Sequence, residues 1–144
     1  MQESLHQTVL FLIDQVGKRS KRHAQRRMDQ AGMGVTIDQW VLLKVLEDMG
    51  GGTQRELAER AVRDPASITR TLDLLEKKQL LQRVQVEGDR RSYQVLLTKT
   101  GKAFIGEHMA LIHQLREESV AGLTEKQVLQ LRDALARMAA NFDD

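Results

Sequence analysis

Ser67, Thr69 and Arg70 stand close together just behind Asp64-Pro65. A hydroxyl donates or accepts at a base edge, and an arginine matches the two major-groove acceptors of guanine. Three such residues at the start of a helix have the chemistry of major-groove readout. The amides at that helix end can also receive a phosphate. Further along, Glu87-Gly88-Asp89-Arg90-Arg91-Ser92 reads as a loop carrying Arg90 and Arg91 beside Asp89. An arginine on a protruding loop suits a narrow A·T minor groove, where the potential is most negative. The acidic neighbour fixes its rotamer beforehand, so less side-chain freedom is lost on binding. Gln54, Arg63 and Lys77 flank the trio as candidate phosphate contacts.

Other chemistries find little support. There is no glycine-rich phosphate loop, no Gly-x-Ser-x-Gly and no His-Glu-x-x-His, so no catalytic residue is expected and the chain does not read as an enzyme. The absence of cysteine removes disulfides, thiolate metal sites and thiol redox sensing together. His108 and His113 lie five apart, the wrong step for one helical face, so neither a metal nor a cofactor is expected. Six cations, from Lys18 to Arg27, circle the first helix without forming a stripe and read as a solvated helix end.

The elements that must position these groups announce their own starts. Thr36–Gln39, Thr53–Glu56 and Thr124–Gln127 carry the capping-box pattern, and Asp64-Pro65 sets an acceptor before a proline at the first helical position. Thr98 is a fifth cap, while Gly50-Gly51-Gly52 and Gly122 mark helix ends. Helices are predicted over about 3–31, 37–49, 54–61, 65–78, 99–121 and 125–141, with strands over 81–86 and 93–97. Leu57, Ala58 and Ala61 give one short helix a small apolar face, and Ile68, Leu72 and Leu75 point inward from the next. The fold class is mainly α with a small β-hairpin wing. Residues 36–98 form a winged helix-turn-helix lobe within a single domain, 1–144, and 1–31 with 99–144 form a helical dimerisation region.

The chain has 144 residues, 41% of them apolar and 29% charged, with a net charge of +2. That is an ordinary globular balance, long enough to bury roughly 70% of its unfolded surface. The longest apolar run, Val9–Ile13, is far too short to cross a bilayer; no basic segment precedes it and Asp14 follows. A cytoplasmic protein with no membrane partner is expected. Leu5, Val9, Leu12 and Val16 recur at helical spacing, as do Val128, Leu131, Leu135, Met138 and Phe142. Both are narrow seams that pack helix on helix. They either meet inside one subunit or interlock with a second copy, and the homodimer is the favoured reading.

The stretch Ile68-Thr-Arg-Thr-Leu-Asp-Leu-Leu-Glu-Lys-Lys-Gln-Leu-Leu, followed by Gly88-Asp-Arg-Arg-Ser-Tyr-Gln-Val-Leu-Leu-Thr-Lys-Thr-Gly101, resembles the recognition helix and wing signature of the MarR-type transcriptional regulators. The resemblance covers residues 35–105 in motif and the whole chain in helix order. It implies a dimer with intertwined terminal helices that binds double-stranded DNA, more often as a repressor than as an activator, with affinity set by a ligand or an oxidant. By motif position Asp89 and Arg91 are the wing pair, Arg91 being the minor-groove finger. It further implies a small-molecule effector pocket between the 99–121 helix, the first helix and the Trp40 helix, with Trp40 and Met109 in its wall, whereas the apolar pattern alone reads both as packed core. Two departures stand out. Gln79 occupies the usual glycine position after the recognition helix, and the lack of cysteine excludes the thiol-oxidation branch. The competing readings are a winged protein-interaction module and a ligand- or metal-binding protein with a secondary DNA role.

Overall fold

The computed structural model describes residues 4–61 and 63–143, without the side chains of 90–92. Among the described residues are six α-helices: α1 (Val9–Gln30), α2 (Ile37–Met49), α3 (Gln54–Ala61), α4 (Pro65–Lys77), α5 (Lys99–Ser119) and α6 (Glu125–Ala140). Three strands, β1 (Gly52–Thr53), β2 (Leu81–Val86) and β3 (Asp89–Leu97), form an antiparallel sheet in the order β1-β3-β2. No helix is long and apolar enough to cross a membrane, among the described residues. The chain divides into two compact units, Met1–Met109 and Ala110–Asp144, the boundary falling inside α5.

In the first unit the caps act as the sequence predicts. Thr36 Oγ1 accepts from Gln39 N while Gln39 Oε1 accepts from Thr36 N, a complete capping box. Thr53 makes half of one: its hydroxyl accepts from Glu56 N and donates to the Glu56 carboxylate, because its backbone belongs to β1. The core is built from α2 (Trp40, Leu42, Leu43, Leu46), α3 (Leu57, Ala58) and α4 (Ile68, Leu72, Leu75), with Leu81 and Val95 of the sheet. Trp40 is buried, its ring centroid 6.2 Å from that of Phe104, and Met109 is half-buried.

Three expectations need correction. The first helix does not run unbroken from residue 3. Leu5–Gln7 is a 3-10 turn, and Thr8, extended at φ −75° and ψ 141°, separates it from α1. Leu5 therefore does not share a helical face with Val9 and Leu12. The segment 87–92 is not a loop: Glu87-Gly88 makes the whole turn, with Gly88 at φ +84°, and β3 begins at Asp89. Asp89 pairs with Val86, and the register slips between Gln85 and Val86. The third correction is β1, a two-residue strand pairing Gly52 with Val95 and Thr53 with Gln94, where the glycine run and the Thr53 cap predict only a turn into the next helix.

The end of α4 explains the Leu-Thr-x-x-Gly element. Gln79 takes the left-handed conformation at φ +63°, a strain of about 1 kcal/mol for a non-glycine residue. Thr98 then ties the strand end to this corner. Its amide donates to Leu80 O at 3.2 Å, its hydroxyl donates to Gln79 O at 2.6 Å, and the same oxygen accepts from Gly101 N at 2.9 Å. A Cβ at Gly101 would lie 1.9 Å from Leu80 O, so only glycine fits the start of α5.

In the second unit, Thr124 and Gln127 complete another capping box at the start of α6, and Gly122 is left-handed at φ +88°. Ile112 and Leu115 are buried, whereas α6 has no buried residue. Leu131 and Leu135 are 45% and 39% exposed, and Val128 and Met138 are half-buried. In the first unit Leu5, Val9, Leu12 and Val16 are all exposed.

Candidate nucleic-acid interface

The site is built on α4. Asp64 caps it, each carboxylate oxygen accepting one amide: Ala66 N and Ser67 N, both at 3.2 Å. The cap fixes where the helix begins. It also occupies the two amides that the sequence reading offered to a phosphate, and it places a negative charge there. Ile68, Leu72 and Leu75 are fully buried, so the opposite face of α4 is turned outward.

On that outward side Thr69 and Arg70 are exposed and Ser67 is half-buried. Two of the three carry partners already. Gln54 Nε2 donates to Thr69 Oγ1 at 2.6 Å, and that hydroxyl donates to Pro65 O at 3.1 Å. Arg63 Nη2 donates to Ser67 Oγ at 2.9 Å and to Thr71 Oγ1 at 3.4 Å. Gln54 and Arg63 thus orient the hydroxyls of α4, a role their sequence positions did not reveal. Lys77 is exposed on the last turn, away from this cluster.

Arg83 is the residue that sequence reasoning missed. From β2 its Nη2 donates to Asp73 and, at 2.9 Å, to Glu76 Oε1, while its amide donates to Glu76 Oε2 at 3.1 Å. The three bonds tie β2 to α4. The side-chain hydrogen bond from Arg83 holds the Glu76 carboxyl below its ordinary value, and the same bond raises the Arg83 guanidinium. The signal was present: Asp73 and Glu76 lie three apart, on one helical face, before a strand with a single cation.

Asp89 is exposed on β3. The side chains of Arg90 and Arg91 lie outside the described residues, and their backbone belongs to the same strand. Val62, in the turn between α3 and α4, also lies outside them. A cavity of about 670 Å³ opens beside the helix pair, lined by Gln54, Arg55, Ala58, Arg63, Pro65 and Tyr93 among others. Arg63 Nη1 is buried with no hydrogen-bond partner among the described residues.

Residues 35–93 match the sequence model of the MarR family. The fold is also that of solved regulators over nearly the full chain. A mutant of MarR from E. coli complexed with operator DNA superposes with a TM-score of 0.83 at 24% identity, covering 95% of this chain and 99% of that one. BpsR of Bordetella bronchiseptica, whose DNA binding is regulated by 6-hydroxynicotinic acid, gives 0.88 at 22% identity over 100% of both chains. A probable transcriptional regulator from Pseudomonas aeruginosa gives 0.79 at 27% identity, covering 94% and 99%.

Proposed function

We propose that this chain is a DNA-binding transcription regulator of the MarR type and not an enzyme, a reading supported by the match of residues 35–93 to that family's model, and that it acts as a cytoplasmic homodimeric repressor. Each 36–98 lobe sets α4 in a major groove and the wing in the flanking minor groove. The two half-sites lie about one helical turn apart in a pseudo-palindromic operator. Ser67, Thr69 and Arg70 read bases. Arg91 reads groove width with Asp89 beside it and Arg90 adjoining. Gln54, Arg63 and Lys77 meet phosphates. The dimer forms through 1–31 and 99–144, with Leu5, Val9, Leu12, Leu131, Leu135 and Met138 in the contact. The observation that carries this reading is the outward face of α4, two hydroxyls and an arginine on a helix anchored by three fully buried side chains.

Release comes from a small molecule, since a chain without cysteine has no thiol to oxidise. The regulation of BpsR by 6-hydroxynicotinic acid supports an effector of that size, with Trp40 and Met109 in its pocket wall. The test is a gel shift on the DNA flanking the protein's own gene, with wild type and Arg91→Ala. Wild type is expected to give a competitor-resistant band. Arg91→Ala should weaken it about 10- to 100-fold, with dimer and melting temperature unchanged. Equal affinity of the two proteins would remove the wing from the mechanism.

A further inference from the structure

The two hydroxyls on the outward side of α4 are not equivalent. Ser67 Oγ accepts from Arg63 Nη2 at 2.9 Å, and its own hydrogen is unspent among the described residues. Thr69 Oγ1 is engaged in both directions. It accepts from Gln54 Nε2 at 2.6 Å and donates to Pro65 O at 3.1 Å. A hydroxyl has a single hydrogen, so Thr69 has nothing left to donate to a base. Its bond to Pro65 O is the back-bonding of a helical threonine to the carbonyl one turn earlier, which selects one of the two rotamers that threonine adopts in a helix. Gln54 holds the same oxygen from α3. With Oγ1 drawn back onto its own helix turn, the methyl carbon Cγ2 is the group that the exposed Thr69 offers outward without breaking a bond.

The major-groove edges of the base pairs carry one apolar group, the C5 methyl of thymine. A methyl already held in one rotamer loses little side-chain freedom on meeting it, and the contact removes both groups from water. Oγ1 keeps one lone pair, which suits a cytosine or adenine amino group, but that reader needs the oxygen turned outward and the bond to Pro65 O turns it along the helix. We propose that Thr69 is a specificity-determining residue that reads thymine by methyl-to-methyl contact, its rotamer set by Gln54 and Pro65 O. Each half-site then carries a thymine recognised through its C5 methyl and not through its O4. The proposal rests on the DNA-binding reading and assigns the base that α4 selects at this position.

The probe is a duplex recovered from a random pool by selection with the full-length protein, in which each thymine of a half-site is replaced in turn by deoxyuridine. Uracil keeps every hydrogen-bonding atom of thymine and lacks only the methyl. One replacement per half-site is expected to weaken the wild-type complex about fourfold, the worth of one buried methyl. Thr69→Ser keeps the hydroxyl and its bonds and should bind the thymine and uracil duplexes alike. Thr69→Val keeps the methyl, loses the hydroxyl and should retain the preference. Both changes fall at an exposed position and leave the core untouched. Wild type indifferent to uracil at every position overturns the proposal while sequence-specific binding stands. An undiminished preference in Thr69→Ser gives the methyl contact to another residue and overturns it equally. A preference lost in Thr69→Val puts the readout on the hydroxyl. Selection that enriches no sequence removes the DNA-reading function itself, and the proposal with it, before any uracil is introduced.

Discussion

Two amphipathic helices of similar length, α4 and α6, meet opposite fates. The 13-residue α4 has Ile68, Leu72 and Leu75 fully buried by its own lobe. The 16-residue α6 has a complete capping box at its start and yet no buried residue. A cap fixes where a helix begins; it does not supply the packing that holds most helices in water. The lobe contains the partners it needs. The apolar face of α6, like Val9, Leu12 and Val16 on α1, is left for something else to cover, and a second copy is the reading proposed above.

The largest effects should come from the buried helix. Leu72→Ala is expected to lose about 3 kcal/mol of stability through lost burial and the cavity left behind, read as a lowered urea midpoint. An unchanged midpoint would mean that the lobe repacks freely, and the contrast with α6 would collapse. Replacing Leu131 and Leu135 together by Asp should act on assembly. Sedimentation is expected to show a monomer that keeps the helical signal of the lobe. A double variant that sediments as a dimer would put the interface elsewhere.

Much of this contrast was legible in the residues. Caps at Thr36, Asp64 and Thr124 fixed three helix starts to the residue, because a side-chain acceptor and an N3 partner are local chemistry. The period of Ile68, Leu72 and Leu75 marked the buried face of α4 without need of a partner element. What failed was non-local. β1 is two residues long and has no period to read; it exists only because Val95 and Gln94 lie beside it. The wing was drawn too short because the alternation breaks at the slip between Gln85 and Val86. The break at Thr8 was hidden because Leu5 and Val9 keep helical spacing across it. At the site, Ser67, Thr69 and Arg70 were visible as residue types. Their supports, Gln54 and Arg63, were assigned to phosphates because a hydrogen bond across fifteen residues, such as Gln54 to Thr69, leaves no trace in spacing.

Smaller changes sharpen the comparison by touching the lobe alone. Gln79→Gly removes a left-handed strain and should raise lobe stability by about 1 kcal/mol, with sedimentation unchanged. A loss of stability would show that the Gln79 side chain compensates for its backbone. Glu76→Gln is the mildest. The Glu76 carboxyl titrates below its ordinary value of 4.5 in the folded chain, so its contribution is present above that value and disappears as pH falls through the lowered one. The pair is part-exposed, which limits the effect to about 0.5–1 kcal/mol at neutral pH. The variant should therefore melt lower than wild type at pH 7 and converge with it in acid. Parallel curves down to pH 2 would dissociate Arg83 from the acid sensitivity of the lobe.

The corner at Gln79, Leu80, Thr98 and Gly101 has a mechanical consequence. Three hydrogen bonds and a contact with no room for a methyl group leave no slack between the end of α4 and the start of α5. A hinge needs a residue that can absorb a change of dihedral angle, and each residue here is spoken for. A shift of the first turn of α5 would therefore carry the end of α4 with it, the two acting as one welded crank.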